Sequence, residues 1–356
     1  MHFADGEVPQ EYRRYIGRKV GLIVASSVAL LCLVVASVSL GAADVPLADV
    51  VRALIGRPAS DQFARIVWNI RLPQALAAVV AGAGLAVAGA AMQSVLRNPL
   101  GSPFTLGISH AAAFGAALSV MVFGGGVMTS SQAAAVTITN RTLTTASAFA
   151  LCLVAVAVIM AVSHLRGAGP EVMILAGVAI GSLFTAATMF LQYFADDVQL
   201  SAMVFWTFGD TARASWGELG ILTVVTGAAA VYFSLNSWNY NAIDAGDETA
   251  RGLGVPVSRV RLVGMTVASL VTATLIAFLG IIGFVGLVVP HIVRRLIGGD
   301  HRFLLPASLV LGGLLLLAAD TAARLMLAPH ILPVSVLTAF LGAPVFLALI
   351  VRGGRR

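Results

Sequence analysis

Long apolar runs separated by short polar breaks dominate this sequence. Continuous stretches lie near 20–41, 73–95, 104–123, 144–163, 172–194, 217–234, 259–279, 281–297, 303–326 and 333–352. A run of about 20 apolar residues is long enough for a helix to cross a bilayer. Only helices that satisfy their own backbone groups fit so many adjacent runs without strand alternation. The pattern therefore predicts an all-α integral membrane protein with about ten transmembrane helices. The eighth run contains Gly283, Gly286 and Pro290 and is expected to be short or broken. In the second run Gly82, Ala86 and Ala90 recur every four residues, a spacing that lets helix backbones approach closely in lipid.

Composition agrees with lipid as the solvent. Apolar residues make up 59% of the 356 and charged residues 11%, far from the mix of a soluble domain. The formal charge is +6, but the basic residues stand singly between apolar runs and form no stripe that could track nucleic acid. Arg13, Arg14, Arg18 and Lys19 precede the first run as they would in a secretory signal, yet Val20 to Ala43 is too long for a cleaved core, so an uncleaved first helix is expected. With the N-terminus in the cytoplasm, fifteen of the 22 basic residues fall on the inner side. That bias places both termini inside and requires an even number of spans. Trp68, Trp206, Trp216 and Trp238 all fall at predicted span ends, where amphipathic rings are favoured. The chain divides into a cytoplasmic tail (1–19), a membrane domain (20–352) holding a cytoplasmic segment at 242–256, and a short tail (353–356).

Catalytic chemistry is poorly represented. A phosphate-binding loop needs a lysine after its second glycine, and the one lysine, Lys19, follows Arg18, so the chain carries no such ATPase site. Ser109 and His110 are neighbours on a helix and diverge by about 100°. Cys32 and Cys152, and the scattered histidines, lack metal-ligand spacing. No cofactor or metal is expected on this chain.

Two polar features are informative. Asp320 and Arg324 are four residues apart on an apolar span and share one helix face. At about 1.5 Å per residue from Phe303, Asp320 sits about 25 Å from the inner end, so Arg324 reaches the outer interface. They form either a structural ion pair or an outer docking contact in which Asp320 orients Arg324. The segment AIDAGDETARGLGVP, from Ala242, reads as a short cytoplasmic helix. Asp244 is expected to cap it, Asp247 and Glu248 suit its N-terminal dipole, and Gly252, Gly254 and Pro256 supply its stop. It is either a solvated connector or a rigid knob that transmits motion from a partner.

Four blocks carry a family resemblance: RLPQALAAVVAGAGLAVAGAAMQSVLRNPLGSPFTLGIS from Arg71, DETARGLGVPVSRVRL from Asp247, GIIGFVGLVVPHIVRRLIGGDHRFLLP from Gly280, and ADTAARLMLAPHILPVSVLTAFLGAPVF from Ala319. In order and spacing they resemble the FecCD-like permeases, which import ferric siderophores, haem and cobalamin. The resemblance implies a homodimer in a bacterial or archaeal inner membrane. Two ATPase subunits binding ATP and Mg would sit below it, and a periplasmic or lipoprotein substrate-binding protein above. An iron chelate, first of all a ferric siderophore, is the expected cargo, with haem and cobalamin as alternatives. By the same resemblance Asp244, Asp247, Glu248, Arg251, Gly252, Leu253 and Gly254 belong to the part that couples to the ATPase. Arg71 and Arg324 match arginines that receive the binding protein, and Gly169, Pro170 and Glu171 match a cytoplasmic gate. Met92, Gln93, Thr185, Met189 and Gln192 lie on matching spans and line the path or pack between helices. Gln74, Ile331 and Ser335 depart from the pattern, which bears on cargo more than on fold. An ion-coupled carrier is the rival reading, and it would require ionisable groups near mid-depth, where the sequence offers only the outward-lying Asp320.

Overall fold

The computed structural model describes residues 10–41, 45–58, 60–123, 127–128, 136–137, 140–166, 169–327 and 330–353. Parts of both expected tails, 1–9 and 354–356, lie outside them. The α-helices are α1 (Gln10–Ser39), α2 (Leu47–Leu54), α3 (Asp61–Ile66), α4 (Leu72–Val95), α5 (Ile108–Phe123), α6 (Arg141–Leu165), α7 (Pro170–Phe194), α8 (Asp197–Thr207), α9 (Trp216–Leu235), α10 (Ser237–Asp244), α11 (Asp247–Gly252), α12 (Val257–Leu279), α13 (Val285–Ile297), α14 (His301–Met326) and α15 (Val334–Gly353). A π-helical turn, Val67–Arg71, joins α3 to α4, and Val127–Met128 pairs antiparallel with Val136–Thr137.

Each of the ten expected spans corresponds to a helix: α1, α4, α5, α6, α7, α9, α12, α13, α14 and α15. Seven are long and apolar enough to cross a membrane by themselves, and α5 and α15 are shorter apolar helices. The remaining one, α13, has 13 residues. Its shortness has a local cause. Gly280 (φ 81°) stops α12, and the chain runs without helical structure to Phe284, which is left-handed at φ 66°. Ile281 forms a parallel bridge with Phe208, and Asp210 N donates to Leu279 O, so this non-helical backbone is paired within the protein, the condition under which such backbone is tolerated at membrane depth.

The bundle is organised around α4. In its span 78% of residues are buried within the chain, against 11% in α1 and in α7, so α4 is the axis and those two are peripheral. Small residues make this possible. A Cβ on Gly82 would collide with the carbonyl of Gly312 in α14, and one on Gly89 with the carbonyl of Gly286 in α13. Helix backbones meet at both points, so packing substitutes for the hydrophobic drive that lipid cannot supply.

Three elements were not visible in the apolar pattern. α2 and α3 precede the second span, and α8 follows α7. Trp206, expected at a membrane interface, lies in α8 and is 4% exposed. Arg213 holds the end of α8 by donating to the carbonyls of Phe205, Trp206 and Phe208 at and just past its last turn.

Candidate functional site

Polar residues gather at the two ends of the bundle. At one end, α1 finishes with its last carbonyls unpaired within the helix. Arg71 donates to Val38 O (2.9 Å) and Ser39 O (2.7 Å). Arg324 donates to Ser37 Oγ (2.6 Å) and, in an exposed bond, to Leu40 O (3.3 Å). Two guanidinium groups thus close the negative end of the α1 dipole. Asp320, 2% exposed, orients the second of them, with Arg324 Nε donating to its carboxylate at 3.1 Å. Gln74 Nε2 donates to the same carboxylate at 3.1 Å and Thr211 Oγ1 also donates to it. A buried carboxylate needs this full set of donors to remain charged away from water.

The i,i+4 spacing of Asp320 and Arg324 gave the ion pair in advance. Gln74, Thr211 and Ser37 were not legible as its partners, because they come from α4, the 3-10 turn Thr211–Arg213 and α1. Gln74, which departs from the family pattern, has this structural task. Arg71 and Arg324 are both largely buried, with 7% of Arg71 and 10% of the Arg324 side chain exposed, so most of their donor capacity faces the end of α1.

At the opposite end, the segment expected to be one short helix is two, α10 and α11. Gly246 at φ 117° separates them. Asp244 ends α10 and does not cap α11, whose N-cap is Gly246 with no side-chain bond. The Gly246 turn sends the Asp244 carboxylate back to Arg294 of α13 at 3.3 Å instead. Asp247 does begin α11, and it accepts from Arg261 at 3.0 Å and lies 3.7 Å from Arg97. Arg261, 3% exposed, also donates to Val95 O at the end of α4. The segment is therefore bolted to α4, α12 and α13, whereas Glu248, Arg251, Gly252, Leu253 and Gly254 all face outward. Leu253 is 70% exposed.

The remaining candidates separate. Gly169 is the N-cap of α7, Pro170 its first residue, and Glu171 lies exposed in its first turn; residues 167–168 just before are outside the described ones. Met92 is fully buried in the α4 core. Gln93 donates to Leu287 O (3.3 Å) and borders a polar hollow of about 310 Å³ with Arg97, Asn98, Asp244 and Arg294. Thr185, Met189 and Gln192 lie together on α7, with Met189 63% exposed and the Thr185 hydroxyl donating to Gly181 O (2.9 Å). A second hollow, apolar and about 570 Å³, lies between Phe208 and the α15 residues Val336, Ala339 and Phe340. Ser335, where the family pattern has glycine, bonds Gly209 twice across it: its Oγ accepts from Gly209 N (3.0 Å) and its N donates to Gly209 O (3.3 Å). Among the described residues no three His, Cys, Asp or Glu side chains come together as a metal site.

An apolar bundle around a small-residue axis, a short span with paired non-helical backbone, and a braced polar knob at one end define the membrane-spanning part of an ABC importer of the metal-chelate type. The chain belongs to the FecCD transport family, whose model matches residues 29–352. It is 50% identical over 351 residues to MJ0087 of Methanocaldococcus jannaschii, described as an ABC transporter permease protein, covering 98% of this chain and 99% of that one. It is 38% identical to the hemin transport permease HmuU of Yersinia pestis, over 85% of this chain and 87% of that protein. The iron(3+)-hydroxamate permease FhuB of Bacillus subtilis is 34% identical over 91% of this chain and 82% of FhuB. Among solved structures, an inward-facing metal-chelate type ABC transporter superposes with a TM-score of 0.80 at 27% identity, covering 93% of this chain and 99% of that one.

Proposed function

We propose that two copies of this chain enclose the membrane path of an importer for a ferric siderophore, driven by a pair of ATPase subunits seated on α10 and α11. One observation carries the coupling part of this reading. The knob presents Glu248, Arg251 and Leu253 outward while Asp244 and Asp247 fasten it to α13 and α12. A rigid projection passes on a push that a solvated loop would absorb. The knob then lies in the cytoplasm with both termini, ATP and Mg belong to the partner subunits, and the Gly169 to Glu171 turn lies on the same side as the gate.

The second copy covers the faces of α7 and α15 that the single chain leaves open, where Leu183, Met189, Phe190 and Phe340 are all more than half exposed. Glu171, in the first turn, is the one acidic or basic residue of α7. A path walled by Thr185, Met189 and Gln192 suits a bulky chelate that has to leave as easily as it enters. The likeness to FhuB supports a ferric hydroxamate as cargo, and the likeness to HmuU supports haem as the second reading. At the α1 end, Arg324 and Arg71 present the docking surface for a substrate-binding protein, with Asp320 fixing Arg324. The ion-coupled alternative is weakened because the Asp320 carboxylate is already taken by Gln74, Thr211 and Arg324. Competition between iron-labelled hydroxamate, haem and cobalamin for uptake into vesicles holding the whole complex tests the cargo. Hydroxamate transport unaffected by the other two is expected, and exclusive haem transport would overturn the choice.

A further inference from the structure

The knob has a further attachment, built of hydrogen bonds and buried at its centre. Asn241 of α10 donates through Nδ2 to Asp300 Oδ1 at 3.0 Å, which fixes its amide so that Oδ1 faces His301. That oxygen accepts from the His301 backbone N and lies 2.9 Å from His301 Nδ1. On the far side of the ring, His301 Nε2 lies 2.8 Å from Ser94 Oγ in α4. Ser94 Oγ in turn accepts from Arg294 of α13 at 3.2 Å. Ser94 and His301 are both 0% exposed.

The direction of every bond in this chain is determined. Asn241 Oδ1 can only accept, so Nδ1 of His301 carries the ring proton. Nε2 is then an acceptor, and the Ser94 hydroxyl donates to it while receiving from Arg294. A proton on Nε2 would leave Ser94 with two donors facing it and no acceptor for its own hydrogen. The ring is thus held neutral, in one tautomer, between the knob and the central helix. Water cannot replace the link between Ser94 and His301, because neither is open to it.

We infer that His301 and Ser94 are positioning residues for transport: they form the joint that carries displacement of α10 into α4 and α14, the two helices in closest mutual contact in the bundle. This rests on the reading that the knob meets the ATPase. The ion pairs of Asp247 tie α11 to α12 and, through Arg261, to the last turn of α4, whereas the Asn241 chain ties α10 to α14 and α4 through neutral side chains. A hydrogen-bond chain with only one consistent arrangement resists being stretched at any single link, so the parts move together.

The test uses the full complex of permease, ATPase and binding protein in vesicles, with transport and ATP hydrolysis measured on the same preparation. Ser94→Ala removes the link between ring and axis. It is expected to keep assembly and hydrolysis while lowering substrate moved per ATP about tenfold, within the range of ordinary intersite coupling. Ser94→Thr, which keeps the hydroxyl, should restore the ratio. Asn241→Ala cuts the same chain at its other end, so the double variant should be no worse than either single one. If Ser94→Ala fails to assemble, Asn241→Ala decides by the same ratio. A merely structural role would lower thermal stability and leave the ratio unchanged. Cross-linking from Leu253→Cys to the ATPase, in a background lacking Cys32, reports on the knob separately. An unchanged ratio with the cross-link present overturns the joint alone, and absence of the cross-link overturns the knob reading and the joint with it.

Discussion

Asp320 shows what a single position does in this protein. Its carboxylate is buried within the membrane domain and held by donors from three elements, with Arg324 the charged one. Removing one partner of a buried pair leaves an uncompensated charge and costs about 3–5 kcal/mol. Arg324→Ala is therefore expected to lower thermal stability strongly in detergent. Gln74→Ala, which removes one donor, should cost about 1–3 kcal/mol. Equal and small effects from both would show that the carboxylate is not held as described. Asp300 gives a pH signature. Bonds from Arg302, and then from Asn241, hold its carboxyl below the usual carboxylate range. Because the folded value is depressed, its contribution is present above the unfolded value near pH 4 and is lost as pH falls through the acid range toward the folded one. Asp300→Asn should flatten the dependence of stability on pH below about 4, and an unchanged acid limb would contradict the assignment. The Asp320 to Arg324 pair was readable because i,i+4 spacing is local. The Asn241, His301 and Ser94 chain was not, since its members come from three helices and each residue alone looks ordinary.

The helices themselves were largely written in the apolar pattern. All ten spans could be placed because about 20 apolar residues carry a strong signal, and the break in the eighth was announced by Gly283, Gly286 and Pro290. α8, α2 and α3 were missed because short helices lack that length. The split of the knob was missed because it depends on the left-handed backbone of Gly246, which a run of polar residues conceals. The small-residue spacing of α4 had a structural meaning that can be tested. Gly89→Leu would drive a branched side chain into the Gly286 backbone and is expected to abolish a monodisperse folded preparation. Val80→Leu, on the same helix at a half-buried position, should be tolerated. Indistinguishable size-exclusion profiles for the two would mean that the α4 and α13 backbones do not meet.

For the molecule as a whole, the two polar ends divide the work. One end fastens α1 through Arg71 and Arg324 and, on the proposed reading, receives the binding protein. Arg71→Glu with Arg324→Glu should weaken that docking and reduce its salt dependence, provided the helices remain folded by circular dichroism. Wild-type affinity and salt response in a folded double variant would leave the arginines as caps of α1 alone. The other end holds the knob, and between them, on the same proposed reading, a second copy covers the α7 and α15 faces. The family reading was accessible from sequence because its four blocks span the chain. The cargo was not, because the neutral side chains proposed to line the path, such as Thr185, Met189 and Gln192, carry little chemical address. The central claim is that this chain moves its substrate only when ATP hydrolysis by a partner acts on the knob. The direct measurement is uptake of an iron-labelled ferric hydroxamate into vesicles containing the permease, with the ATPase and binding protein added or omitted and the ion gradients collapsed or imposed. The account predicts uptake that requires ATP, ATPase and binding protein and ignores the gradients; uptake driven by a gradient with the ATPase absent would contradict it.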